Sequence, residues 1–268
     1  MNKVIITADD AGHSDSIDNA LIDLSRRKIL TRICAFSNGL NDISWLSDMS
    51  ENFNISLGLH LTLSYNKPLL SLPKSSKLID SNGFFIKPKL PENGESGALK
   101  SSIEEYLHYL DASASYEEIK SEFVAQYNHF VALVGKDPDF ITLHHDIDVV
   151  QKVNSVLLEL WPKLMGRFEL LKNGNLVGYH YNFIDGSCSY DESKAMTEKL
   201  LSDAQNNSEQ HGGKRVEVVF HPAMTTRDMR NFTAYTIGRT LEYRALTSSE
   251  IMAKFNAANR IEDYYQFC

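Results

Sequence analysis

Short apolar runs alternate along the chain with stretches whose apolar residues recur at helical spacing. The run at 4–8 is β-branched and apolar, which predicts a buried strand. Further strands are predicted at 31–36, 55–61, 140–143, 178–184 and 215–220, and helices at 17–24, 43–49, 119–134, 149–160 and 191–204. This alternation predicts βαβ units and a largely parallel sheet, hence an α/β fold. This number of strands without a clear linker favours one barrel, and so a single domain over 1–268.

Two local patterns refine this picture. Ser115 and Glu118 stand three apart before an apolar helical face, which is a capping-box pattern and predicts a helix start. Residues 64–98 are rich in glycine and proline and show no helical or strand periodicity. A connection of that length usually has a function in a compact domain, and we interpret it as a loop over the active site.

Asp9 and Asp10 stand side by side where the first predicted strand ends. Because α/β proteins hold ligand sites at the carboxyl ends of their strands, this position favours catalysis or metal binding. Neighbouring side chains on an extended segment point to opposite faces, so one carboxylate can bind a metal while the other addresses a water. The alternative is a helix N-cap next to a solvated acid.

Three other predicted strands end in a histidine: His60, His144 and His221. One such histidine is more often a structural residue than a ligand. Three of them beside an aspartate pair predict one cluster, because parallel strands bring their carboxyl ends to the same rim. Two histidines and a carboxylate with open coordination positions suit Zn²⁺, Fe²⁺ or Mn²⁺, and such an ion lowers the pKa of a water toward neutrality.

Composition excludes several classes of protein. The formal net charge is −8, the pI is near 5.6, and no basic cluster exceeds Arg26-Arg27-Lys28, which disfavours a nucleic-acid partner. The 3 cysteines are widely separated and have no C-x-x-C spacing, which favours a reducing compartment. The sequence shows no apolar signal segment and no apolar run of about 18 residues, so we expect a cytoplasmic protein without a membrane partner.

Several segments, taken in order, carry a family resemblance over nearly the whole chain. They are ITADDAG (6–12), LGLHLTL (57–63), KPLL (67–70) with LIDSNGF (78–84), FVAQ (123–126) leading to GKDP (135–138), FITLHHD (140–146), FHPA (220–223), and RTLE (239–242) with LTS (246–248). The sequence resembles the YdjC-like carbohydrate deacetylases, the family that includes chitooligosaccharide deacetylase. The resemblance implies a (β/α) barrel of distorted TIM type. It also implies metal-dependent removal of the acetyl group from a small N-acetylated sugar, such as a chitin-derived disaccharide or its phosphate.

The resemblance also implies a role for each residue of the predicted cluster. It makes Asp10, His60 and His144 the ligands of a divalent metal ion, Asp9 the general base and His221 the general acid. Mg²⁺ or Zn²⁺ is favoured as the ion, with Mn²⁺ or Co²⁺ as alternatives. A homodimer is compatible with the sequence.

Two positions depart from the family pattern. Thr142 and Asp146 stand where many members carry an acid and a histidine, and we expect this to change the surroundings of His144. A catalytically weak or inactive sugar-binding homologue is therefore an alternative. A metal-dependent phosphohydrolase is a further alternative, because such enzymes also carry a His-Asp dipeptide like His145-Asp146. Further along the chain, the RTLE segment places an arginine and a glutamate three apart on a predicted helix, where they can pair with each other.

Overall fold

The strand that carries the paired aspartates lies inside a six-stranded sheet. The computed structural model describes residues 4–89, 96–162, 170, 174, 176–228, 233 and 235–255, with the backbone alone for 96–100. The described strands are β1 (Val4–Ala11), β2 (Arg32–Ala35), β3 (Ser56–Leu61), β4 (Phe140–Leu143), β5 (Leu176–Tyr181) and β6 (Arg215–Phe220). They pair in the order β4-β3-β2-β1-β6-β5, and every pairing is parallel.

Helices follow most of these strands and cover the sheet. They are α1 (Asp15–Arg26), α2 (Leu46–Phe53), α3 (Ser96–Ser113), α4 (Tyr116–Val134), α5 (Gln151–Leu160), α6 (Tyr190–Gln210), α7 (Ile237–Leu246) and α8 (Ser249–Phe255). The sheet curls into a half-barrel, which confirms the predicted single-domain α/β fold of distorted barrel type. In the described ranges, no helix combines the length and the apolar character that a membrane span requires.

The helix starts follow their capping residues. Ser14 caps α1 by accepting a hydrogen bond from the backbone of Ile17, and Ser115 caps α4 by accepting one from Glu118. The second of these confirms the start predicted from the capping-box pattern. The apolar positions of the predicted face of α1, Ile17, Ala20, Leu21 and Leu24, are fully buried, so this helix packs that face against the sheet.

The end of β1 departs from regular strand geometry. Its register with β2 shifts between Ala8 and Ala11, which places Asp9 and Asp10 in a bulge. The φ angle of Asp10 is 71°, in the left-handed region that aspartate tolerates better than most residues. The extended backbone that we expected for both aspartates is therefore absent at Asp10, because a bulge redirects the side chains that it contains.

The connection after β3 is only partly the loop that the sequence predicted. The predicted loop spans 64–98, but α3 begins at Ser96, and residues 90–95 lie outside the described residues. The apolar pattern did not predict α3.

Two buried side chains of α4 fix the start of this loop. Glu122 accepts hydrogen bonds from the backbone nitrogens of Leu69 and Leu70, at 3.0 and 3.1 Å. Gln126 bonds both backbone groups of Thr62, at 3.1 and 2.9 Å. Loop residues just after β3 are thereby held to α4, beside the end of the strand that carries His60.

Candidate metal centre and its surroundings

Three side chains from different strand ends converge at the carboxyl rim of the sheet. Asp10 comes from the bulge of β1, His60 is the second-to-last residue of β3, and His144 directly follows β4. Oδ1 of Asp10 lies 3.5 Å from Nε2 of His60 and 3.6 Å from Nδ1 of His144. One ligand atom from each of the three residues lies within 4.8 Å of the other two, a spacing that suits a shared metal ion.

His60 has a hydrogen-bonding partner on its other ring nitrogen. Its Nδ1 lies 2.8 Å from Oγ1 of Thr142, the residue opposite it in the pairing of β3 with β4. A metal-binding histidine usually has such a partner, which fixes its tautomer and ring orientation. Thr142, which was expected in the surroundings of His144, instead orients His60.

The carboxylate of Asp10 is buried, with 1% of its surface exposed. Its Oδ2 accepts a hydrogen bond of 2.6 Å from Nη2 of Arg239. Burial raises the pKa of Asp10, but the charge of Arg239 and the imidazole of His60 outweigh this effect and hold the pKa well below its usual range. Asp10 is therefore an anion, the form in which a carboxylate binds metal.

His144 forms the partly open side of the cluster, since its side chain is 21% exposed while His60 and Asp10 are almost fully buried. Burial lowers the pKa of His144 well below its usual value, and the ring of His145 nearby lowers it further. The imidazole stays neutral, as metal binding requires. His145 itself pairs through Nδ1 with Oγ of Ser64, at 2.9 Å, and is a neighbour of the three-residue set.

His221 directly follows β6 at the same rim. Its ring stacks on Phe183 with centroids 4.9 Å apart and planes 14° apart, and its Nδ1 is buried without a hydrogen-bond partner in the described part of the chain. Burial lowers the pKa of His221 to about 4, against the charges of Asp10 and Asp9, which raise it. The neutral form of His221 is therefore favoured near pH 7.

The backbone of His221 is braced by α7. Oε2 of Glu242 accepts a hydrogen bond from its backbone nitrogen at 2.5 Å, and Oε1 accepts one from the Tyr235 hydroxyl at 2.6 Å. Burial raises the pKa of Glu242 to about 8. The spacing of Arg239 and Glu242 predicted that they can pair on one helix face. In the structure both are buried on α7, and they bind Asp10 and His221 instead of each other.

Asp9 lies next to Asp10 in the same bulge of β1, with 1% of its surface exposed. Its negative charge acts on His221 by raising that residue's pKa. The predicted base and the predicted acid therefore lie close enough to interact electrostatically, although they come from different strands.

Asp146 has a partner that the sequence did not indicate. Its Oδ1 accepts a hydrogen bond of 2.5 Å from the Tyr181 hydroxyl, which comes from the end of β5. β4 and β5 are the two edge strands of the sheet, so this bond links the segment after one edge to the other edge. The ring of Tyr181 also stacks near His221, at a centroid distance of 5.9 Å.

The cluster of Asp10, His60 and His144 fits a divalent metal ion. Oδ1 of Asp10 is buried and has no hydrogen-bond partner in the described residues, yet two imidazole nitrogens face it just beyond hydrogen-bonding distance. A ligand set of two nitrogens and one oxygen suits Zn²⁺ and other divalent transition ions. The set leaves coordination positions for a water or a substrate oxygen.

An α/β half-barrel with such a cluster at its carboxyl rim is a typical architecture for a metal-dependent enzyme. A family model described as "YdjC-like protein" matches residues 3–257. The chain therefore belongs to the YdjC-like family, as the sequence motifs predicted.

Curated relatives with similar sequences are named as deacetylases. A chitooligosaccharide deacetylase of Proteus mirabilis is 26% identical over 260 residues, covering 92% of this chain and 91% of that protein. Another from Escherichia fergusonii is 25% identical over 266 residues, covering 96% and 94%. A carbohydrate deacetylase of Xenopus laevis is 27% identical over 159 residues, which are 59% of this chain and 47% of that protein.

A solved structure supports the fold. A protein of Enterococcus faecalis described as a cellobiose-phosphate cleavage protein superposes with a TM-score of 0.63. The superposition covers 94% of both chains at 21% sequence identity, so it bears on architecture alone.

Proposed function

We propose that this protein is a metal-dependent hydrolase that removes the acetyl group from a small N-acetylated sugar of the chitooligosaccharide type. The observation that carries the proposal is the convergence of Asp10, His60 and His144 at the same rim as Asp9 and His221. Membership of the YdjC-like family and the names of the curated relatives support the substrate class.

The metal ligands are Asp10, His60 and His144. A divalent ion bound by them would supply Lewis acidity, which lowers the pKa of a water and polarises the amide carbonyl. The hydrogen bond from Arg239 to Oδ2 holds the carboxylate of Asp10 in place, and the contact with Thr142 holds the ring of His60. Neither contact depends on the ion. Preorganised ligands of this kind need little rearrangement when an ion binds.

Asp9 is the general base. It accepts a proton from the water whose oxygen attacks the amide carbon, and its buried position beside Asp10 keeps it near that water. His221 is the general acid that protonates the sugar nitrogen as the carbon–nitrogen bond breaks. Acetate and a free amine are the products.

Burial keeps His221 neutral in the resting protein, so it takes up a proton from solvent before the carbon–nitrogen bond breaks, and Asp9 releases the proton of the water to solvent after turnover. Negative charge that develops on the reacting amide favours the protonated imidazole, as the charges of Asp10 and Asp9 already do. The stacked ring of Phe183 restricts the orientation of the imidazole. Phe183 is 51% exposed, so it presents an apolar surface beside His221 that a sugar ring can contact.

Acetate release tests the proposed function directly. The chelator-treated protein is reloaded with Zn²⁺, Mg²⁺, Mn²⁺, Co²⁺ or no ion, and it is incubated with N-acetylglucosamine oligomers and the phosphorylated disaccharide. We expect acetate and free amine in equal amounts, and only with an ion present. Sugar binding without acetate release for every ion would make the protein a binding homologue, and acetate release that survives chelation would exclude a metal mechanism.

Replacing His221 by alanine should separate catalysis from metal binding. Because His221 lies outside the ligand set, we expect an unchanged dissociation constant for the ion and a fall in kcat of about 100-fold, the lower end of the range for general acids. The low pKa of His221 leaves only a small fraction of the imidazole protonated near pH 7, which is why we expect the lower end. Calorimetric titration with Zn²⁺ and steady-state kinetics measure the two effects. Equal loss of both would place His221 among the ligands.

A further inference from the structure

Arg239 is buried in the first turn of α7, with 4% of its surface exposed. Its guanidinium makes three contacts with three different residues. Nη2 donates to Oδ2 of Asp10 at 2.6 Å, Nε donates to the backbone oxygen of Tyr235 at 3.0 Å, and Nη1 lies 3.4 Å from the backbone oxygen of His221. The two backbone contacts hold the guanidinium in place, so it does not depend on Asp10 for its position.

The two oxygens of Asp10 consequently have different surroundings. Oδ2 is engaged by Arg239, whereas Oδ1 has no hydrogen-bond partner in the described residues and faces the imidazoles of His60 and His144. A free carboxylate can bind a metal through one oxygen or through both. Here a fixed cation already occupies one of them.

We propose that Arg239 is a positioning residue that restricts Asp10 to metal binding through Oδ1 alone. The inference rests on the metal site of the proposed function and adds a specific role for a residue outside the ligand set. An arginine suits this role because it is always charged and its planar guanidinium carries several donors in fixed directions, which here reach Oδ2 of Asp10 and two backbone oxygens. The contact from the same guanidinium to the His221 backbone also fixes the end of β6 relative to Asp10.

The proposal has a consequence for an asparagine at position 10. A guanidinium only donates hydrogen bonds, so it takes the amide oxygen and leaves the amide nitrogen facing His60 and His144. An amide nitrogen with two hydrogens does not bind a metal ion. Asp10→Asn should therefore lose metal binding, in part because Arg239 selects the wrong orientation of the amide. Removing Arg239 as well frees the amide to turn its oxygen toward the ion.

A double-mutant cycle tests this consequence with Zn²⁺ affinity as the readout. The proteins are wild type, Asp10→Asn, Arg239→Met and the double variant, each titrated calorimetrically after chelator treatment. In the wild-type background we expect Arg239→Met to weaken Zn²⁺ binding by about 10- to 100-fold, as for other residues that orient a ligand. In the Asp10→Asn background we expect the same change to tighten binding by about 10-fold or more.

The reversal of sign distinguishes positioning from simpler roles. Removal of a positive charge alone would tighten Zn²⁺ binding in both backgrounds, and a purely structural role would weaken it or leave it unchanged in both; either result overturns the proposal. Arg244→Met, an exposed position on the same helix, is the matched control and should leave affinity unchanged. Failure of the wild type to bind Zn²⁺ would instead contradict the proposed metal site itself.

The visible absorption of bound Co²⁺ gives a second measurement that needs only single variants. Arg239→Lys keeps a charged donor for Oδ2 and should retain the wild-type spectrum. Arg239→Met should shift toward a higher coordination number with weaker absorption, because both oxygens of Asp10 can then bind. Identical spectra for wild type and Arg239→Met would overturn the proposal.

Discussion

Replacement of His60 by alanine should abolish binding of the divalent ion and reduce acetate release to the level of the metal-free protein. His60 is 2% exposed, and its Nε2 lies 3.5 Å from Oδ1 of Asp10. Three protein ligands are the usual minimum for a catalytic zinc site, so loss of one leaves too few to retain the ion. Equilibrium dialysis with Zn²⁺ and the acetate assay measure the two losses.

His211→Ala is the control for this change, since His211 is exposed and follows the end of α6. It should bind Zn²⁺ and release acetate as the wild type does. Undiminished Zn²⁺ binding by His60→Ala would remove His60 from the ligand set.

Removal of the hydrogen-bonding partner of His60 should weaken binding of the ion without abolishing it. Thr142→Val removes the hydroxyl that lies 2.8 Å from Nδ1 of His60, and we expect Zn²⁺ binding to weaken by about 10- to 100-fold. Thr142→Ser keeps the hydroxyl and should stay close to wild type. An equal loss in both variants would point to packing as the cause.

Much of the fold and the membership of the candidate site follow from one regularity of the sequence. The strands were recognisable as short apolar runs, and parallel strands bring their carboxyl ends to one rim. Polar residues at those ends, such as His60, His144 and His221, were therefore expected to meet. The structure brings Asp10, His60 and His144 into one cluster, with His221 close enough to be affected by Asp10.

The contacts that orient these residues were not predictable in the same way. Arg239 and Asp10 are 229 positions apart, and Thr142 meets His60 only because of the register between β3 and β4. Strand order and register are set by long-range packing, and apolar periodicity does not specify which positions on neighbouring strands face each other. The bulge at Asp10 was not predictable for a related reason, since two neighbouring acids are equally compatible with a regular strand and with a bulge.

Asp9→Asn should lower kcat by about 10²- to 10⁴-fold while leaving the affinity for Zn²⁺ unchanged. Asparagine has nearly the same shape as aspartate, but its amide does not accept a proton from the attacking water. The metal ligands are intact in this variant, because Asp9 lies beside the ligand set and not within it. Steady-state kinetics with an N-acetylglucosamine oligomer and calorimetric titration with Zn²⁺ measure the two quantities.

The effect of Asp9→Asn is best compared with that of Asp10→Asn. Asp10→Asn changes the same functional group one residue further along the same bulge, yet it should lose Zn²⁺ binding together with activity. Asp203→Asn, at an exposed position on α6, controls for the charge change and should alter neither. Because the charge of Asp9 raises the pKa of His221, Asp9→Asn should also make protonation of the leaving amine harder, so its deficit should exceed that of His221→Ala. A smaller deficit for Asp9→Asn than for His221→Ala would mean that another group removes the proton from water.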